Sequence, residues 1–175
     1  MLHRGLIAAL ALVVAAGCTR HSQEPAPEPF AGTTASVDHL REGPVPGPEL
    51  VAVRAEQHPG FVRAVFEFRG GALPGYHAGY LPRGARECGS GRPAPVAGHA
   101  FLEVRLSPAR AHGENGASPS FPTDLSPRLG PLLELRQTCD FEGVISWVLG
   151  LRARAPYRIR ELDAPLRIAV DVAAR

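Results

Sequence analysis

The stretch GFVRAVFEFRGG, residues 60–71, decides the fold. Val62, Ala64, Phe66 and Phe68 fall on one side of its alternation; Arg63 and Glu67 fall on the other with Phe61 and Val65. A period of two with one apolar side is the pattern of a half-buried antiparallel strand. His58-Pro59-Gly60 in front and Gly70-Gly71 behind supply turn chemistry at both ends. Nothing in the stretch is catalytic. It reads as the central strand of an all-β domain.

Similar runs lie on both sides of it. Residues 50–55, 76–81, 100–106 and 132–138 are short and β-rich, as are 144–151, 157–162 and 166–172. In 100–106 the residues Ala100, Leu102, Val104 and Leu106 point inward while Glu103 and Arg105 point out; in the last run Ile168, Val170 and Val172 share a side. Trp147, between Ile145 and Leu149 on one side of its strand, reads as core. About eight short strands at regular spacing, with no amphipathic helix, predict a sandwich or a barrel. The segment 82–98 is a Gly/Pro/Arg loop, and 107–130 is a longer loop without periodicity; loops of that length are functional or poorly ordered.

The N-terminus predicts export. Leu6 to Ala16 is an unbroken apolar run behind Arg4, long enough for a signal-peptide core and too short to cross a bilayer. It ends in Ala15-Ala16-Gly17-Cys18, which resembles a bacterial lipobox whose cysteine is acylated. The other reading is an ordinary secretory signal with a chance cysteine. On the lipoprotein reading, residues 1–17 are the signal peptide and Cys18 carries the lipid. Residues 18–48, with Pro25, Pro27, Pro29, Pro44, Pro46 and Pro48 among polar residues, are a disordered tether, and 49–175 are the folded domain. An extended tether of this length would reach ~90 Å and a flexible coil nearer ~30 Å.

Cysteine arithmetic agrees. Three cysteines are an odd number for an exported chain. Giving Cys18 to lipid leaves Cys88 and Cys139 as a possible disulfide in an oxidising compartment. That bridge would close a loop of about 50 residues, worth ~4 kcal/mol in the chain-entropy model. Metal binding by the same two residues is the weaker reading, because neither sits in a CxxC.

Composition and motifs narrow the function. A net charge of +2 offers no basic footprint for nucleic acid, and every basic residue apart from histidine is arginine. His58, His77, His99 and His112 show no metal-ligand spacing, so neither a metal nor another cofactor is expected. Gly89-Ser90-Gly91 lacks the spacing of a nucleophile elbow. Glu67, Glu103, Glu142, Glu161, Asp163 and Asp171 fall mostly on solvent sides of strands or in turns, where a carboxylate normally only solvates the surface. The chain is therefore expected to be non-enzymatic. Tyr76 and Tyr80 on one strand side, and Arg158 and Arg160 on another, are the candidate ligand-binding residues, because such groups stack on sugars and pair with carboxylates. The competing reading packs the tyrosines in the core and leaves the arginines to solvate it.

Five blocks point to a family: HPGFVRAVFEF (58–68), PGY (74–76), AGHAFLEVRLSPARAH (97–112), DFEGVISWVLGL (140–151) and YRIRELDAPLRIAVDV (157–172). Together they resemble the AMIN-like domain of bacterial secreted proteins and lipoproteins. The resemblance implies kinship to the N-terminal AMIN domain of cell-wall amidases, a β-sandwich associated with peptidoglycan binding. It implies no catalytic residues. The resulting expectation is a monomeric antiparallel β-sandwich on a lipid-anchored protein at the extracytoplasmic side of the cell membrane. Its partners are the membrane, through the lipid, and peptidoglycan or an envelope protein. The alternatives are a scaffold for a secreted partner acting through loop 107–130 and, behind it, a hydrolase with an unrecognised site.

Mass spectrometry of the mature protein tests the anchor. The expected result is a diacylated or triacylated Cys18 at the N-terminus, with Cys18→Ala either unprocessed or released from the membrane fraction. An unmodified Cys18 in a processed chain rejects it.

Overall fold

The alternation of residues 60–71 places a strand in the middle of a sheet, and the computed structural model, described here for residues 29–43 and 47–174, has it there. In chain order the strands are β1 (Val37–His39), β2 (Glu49–His58), β3 (Phe61–Arg69), β4 (Gly75–Tyr80) and β5 (Ala100–Ser107). They continue with β6 (Asp124–Leu125), β7 (Leu132–Phe141), β8 (Val144–Leu151), β9 (Tyr157–Leu162) and β10 (Leu166–Ala173). Two sheets form, ordered β1-β4-β5-β8-β7-β6 and β2-β3-β10-β9. Every strand pairing within them is antiparallel, and the two stack as a β-sandwich.

The inward residues of the two sheets make the core. Val62, Ala64, Phe66 and Phe68 of β3 are buried beside Ile168, Val170 and Val172 of β10, and they join Leu102, Val104, Leu106, Ile145, Trp147 and Leu149 from the other sheet. Phe66 meets Trp147 edge to face, with ring centroids 5.9 Å apart, a geometry that suits the ring quadrupoles. All eight expected strands are present. Most were readable because they are half-buried and alternate, and β8 was readable as a short continuous apolar run.

The two outer faces are treated differently. The six-stranded sheet carries the 82–98 loop on its outside, where Ala85 and Ala94 bury Val148 with help from Leu81, Val96 and Phe101. This explains why β8 is apolar on both sides. Three ties hold the loop down. Cys88 and Cys139 are joined in a disulfide, the Cys88 amide donates to the Thr138 carbonyl at 3.0 Å, and the Ala97 amide donates to Glu134 Oε2 at 2.7 Å. A Cβ at Gly150 would lie 2.0 Å from the Ala97 oxygen, so the close approach of loop to sheet requires glycine there. Among the described residues, the outer face of the four-stranded sheet carries no such loop.

Two segments differ from the sequence reading. Residues 18–48 read as a tether, yet 29–43 lie along the domain as an arm. Thr33 and Tyr157 exchange two backbone hydrogen bonds of 2.8 Å, and β1 adds to the edge of β4. The Tyr157 hydroxyl lies between the carbonyl oxygens of Ala35 (2.7 Å) and Ala78 (2.8 Å), tying the arm to both sheets. A three-residue strand held by backbone bonds leaves no periodicity to read, and this is why composition missed it. Of the rest of the tether reading, 47–48 are described, with the Pro48 carbonyl accepting from the Arg110 amide at 3.1 Å, while 18–28, with Cys18, and 44–46 lie outside the described residues.

The 107–130 loop is also partly integrated. Ala109 and Ala111 are buried, Phe121 packs 6.4 Å from Trp147, and β6 pairs with β7. Removing the whole loop would uncover core, so its deletion is not a clean test of partner capture.

The bridge spans 51 residues in sequence. Replacing both cysteines by serine should lower the unfolding free energy by ~4 kcal/mol and make the 82–98 loop protease-sensitive before the rest. Non-reducing peptide mapping that finds both thiols free would refute the bridge.

Candidate functional site

The register of the four-stranded sheet assembles its outer face row by row. One row runs Glu56, Arg63, Asp171, Arg158 across β2, β3, β10 and β9. The next runs Arg54, Val65, Ala169, Arg160, and a third sets Glu67 against Arg167. Each of these residues occupies the outward position of a strand whose inward neighbours build the core, so alternation alone delivers them to one surface.

Asp171 organises the first row. Its side chain is 0% exposed. Arg63 grips it in a fork, Nε donating to Oδ1 at 2.6 Å and Nη2 to Oδ2 at 3.0 Å, while Arg158 Nε donates to Oδ2 at 2.9 Å. Burial pushes the carboxyl group up, but the hydrogen bonds from Arg63 and Arg158 outweigh it and hold the group below the usual carboxylate range. The Arg63 guanidinium is pushed up in turn, chiefly by its hydrogen bonds to Asp171. Aromatic rings flank this cluster. Arg158 lies 4.6 Å from the Phe30 centroid and 5.1 Å from that of Phe61, and His58 stacks on Phe61 at 4.7 Å. Phe30 belongs to the arm, so the cluster also fastens the arm's first described residues.

The second row has a different balance. Arg54 donates from Nε to Glu56 at 2.8 Å and from Nη1 to Glu67 at 3.0 Å, and the Arg54 bond holds the Glu56 carboxyl below its ordinary value. Val65 and Ala169 are buried although they point outward, as expected beneath long arginine stems. Arg160 makes no hydrogen bond or ion pair among the described residues, and Arg167 gives only Nε to the Pro165 carbonyl at 3.1 Å. Among the described residues these two guanidiniums have no carboxylate partner.

A second concavity opens at one end of the sandwich, a cleft of about 720 Å³ lined by Arg41, Glu49, Arg69, Gly71, Leu73 and Arg110 among others. Its arginines are matched internally. Glu49 accepts from Arg69 at 2.9 Å and Arg110 at 3.0 Å, and Arg41 donates to Glu161 at 2.7 Å and to the Pro74 carbonyl at 2.9 Å. The cleft has shape without surplus charge. The sheet face has surplus charge.

The four residues singled out in the sequence do not form one site. Tyr76 and Tyr80 come from β4 in the six-stranded sheet. Tyr76 is 9% exposed and belongs to the core, where burial pushes its hydroxyl pKa up. Tyr80 donates its hydroxyl to the Ala155 carbonyl at 2.7 Å and packs edge-on to Tyr157. Arg158 and Arg160 stand on the outer face of the other sheet. Sequence reasoning missed Arg63, Arg167, Asp171 and Phe30 as their neighbours. The signal for the first three was the outward half of the alternation in β3 and β10. Among the described residues no group of three or more His, Cys, Asp or Glu side chains stands where it could hold a metal ion.

A two-layer antiparallel sandwich with a disulfide-pinned loop over one face defines the class, a small extracytoplasmic β-domain. Residues 48–174 match the AMIN-like domain model, and the chain belongs to that family. No curated protein and no solved structure matches it.

Replacing Asp171 by Asn keeps the shape and removes the charge that Arg63 and Arg158 share. The expected cost is ~2–4 kcal/mol, toward the low end because both guanidiniums reach water. The native carboxyl titrates below its unfolded value near 4, so its contribution is present above that pH and is lost as pH falls through the folded value. Thermal melts of wild type and variant should differ by a constant amount from neutral pH down to about 4 and converge below. A gap indifferent to acid would contradict the assignment.

Proposed function

We propose that this chain is a non-enzymatic, lipid-anchored protein of the cell envelope whose sandwich binds peptidoglycan or another envelope component through the outer face of the four-stranded sheet. The carrying observation is the outer face of the four-stranded sheet of this AMIN-like domain: the loop 82–98 covers Val148 and its neighbours on the other sheet, whereas among the described residues this face displays, side by side, two arginines that pair with no carboxylate, Arg160 and Arg167. A flat polar face bearing guanidinium forks suits an extended polymer better than an enclosed small molecule.

The arm sharpens the role of the anchor. Only residues 19–28 separate Cys18 from the first described residue of the arm. A fully extended chain of that length spans at most ~35 Å. On this reading the domain works close to the membrane, rather than at the far reach that a tether running to residue 48 would permit.

Sedimentation with purified cell-wall sacculi tests the proposal. A Cys18→Ala chain, freed of lipid, should co-sediment well above an albumin control and be released as salt is raised, since exposed ionic contacts are screened. Retention no better than albumin rejects binding to the wall.

A further inference from the structure

The charge pattern of the same face bears on the class of polymer it would hold. Apart from Arg69 at its end, which Glu49 holds, five arginines stand on it, Arg54, Arg63, Arg158, Arg160 and Arg167, against the carboxylates Glu56, Glu67 and Asp171. Arg54, Arg63 and Arg158 occupy all three carboxylates. The surplus is therefore localised on Arg160 and Arg167.

Their placement is fixed by the ladder. Arg160 is opposite Ala169, and Arg167 is opposite Leu162, so the two are diagonal neighbours across β9 and β10. Diagonal positions lie ~7–8 Å apart. Arg158 precedes Arg160 by two residues on the same side, ~6.7 Å along the strand. Ala169 lies between the rows with no side chain beyond its Cβ, leaving a shallow floor under the guanidiniums. The nearby carboxylates do not cancel this charge. Glu161 is engaged by Arg41 and His39, and Asp163, in the turn between β9 and β10, pairs with neither arginine.

We propose that Arg160 and Arg167, continued by Arg158, form a track for a phosphodiester-linked polyol chain. This rests on the reading of the bare face as the envelope-binding surface, and it names the component bound. Guanidinium forks match the paired oxygens of phosphate in geometry and charge. Cationic groups repeating every two strand positions suit a polymer that carries one phosphate per three-carbon unit. A glycan with one carboxylate-bearing peptide per disaccharide spaces its charges more widely than the track. A headgroup layer supplies phosphate too, but in a plane rather than as a chain laid along β9.

The test is fluorescence anisotropy of a labelled glycerol-phosphate oligomer titrated with the full chain in a neutral detergent. Wild type should bind, with an affinity that falls steeply as salt rises. R160Q/R167Q should weaken binding at least ~tenfold, since two charge-assisted contacts are lost. Neither residue pairs with an acid among the described residues, so the melting temperature of this variant should stay close to wild type. R83Q/R105Q removes the same charge from the other side of the molecule and should change affinity by less than about twofold if the contact is local rather than a net-charge effect. No binding by wild type, or equal losses in the two double variants, would overturn the proposal. Capture of Cys18→Ala by phosphatidylglycerol vesicles without capture of the oligomer would overturn it in favour of membrane docking. Retention on sacculi stripped of phosphate polymers that survives R160Q/R167Q would leave the envelope-binding reading standing and remove this inference. Oligomer binding without retention on any sacculus would do the reverse.

Discussion

A fully buried carboxylate on the outside of a sheet is the constraint around which this domain is arranged. Removing Asp171 from water costs several kcal/mol on its own. Only ionic partners with good geometry can offset that, and Arg63 and Arg158 supply three hydrogen bonds between them. These arginines lie on the two strands flanking β10. A one-residue slip of either strand would turn its arginine to the core and bury the charge without a partner. The ion cluster thus selects one register for β3, β10 and β9. The apolar inward row rewards the same register.

The cluster also explains how the rest of the molecule joins the sheet. Arg158 carries Phe30 on its guanidinium plane, and the arm continues from Phe30 to the Thr33 bridge and to β1. Tyr157, next in sequence to Arg158 and facing the opposite way, holds the arm from beneath. Burial, with smaller contributions from Tyr80 and Asp38, raises its phenol pKa to about 12. The hydroxyl therefore stays a donor through the whole physiological range. Two adjacent residues, one on each side of β9, hold the arm and both sheets together. Arg160 and Arg167, which are not committed to this scaffold, are the arginines on which the proposed binding centres.

Much of the fold was legible because the core strands alternate. Val62 to Phe68 and Ile168 to Val172 announced their buried sides, and the cysteine count left Cys88 and Cys139 as partners. The arm was not legible, since its order comes from backbone bonds to strand edges and from single contacts such as Phe30 on Arg158. The burial of Asp171 was hidden for a different reason. Its partners lie 108 and 13 residues away, and an outward carboxylate in a strand looks the same whether or not arginines close over it. The candidate site was half legible. Arg158 and Arg160 stood out by their spacing, but alternation says which side of a strand a residue occupies and not which sheet the strand joins. Tyr76 and Tyr80 were grouped with them on chemistry and belong to the core of the opposite layer.

The central claim is that the bare outer face of the four-stranded sheet is the surface that meets the cell envelope. The most direct measurement is nuclear magnetic resonance of the arginine Nε–H signals while solubilised wall fragments are added. The account predicts that Arg160 and Arg167 shift first, with smaller changes at Arg158, while Arg41 and Arg110 in the end cleft stay still. Shifts confined to that cleft, or to Arg105 on the outer side of the six-stranded sheet, would contradict it.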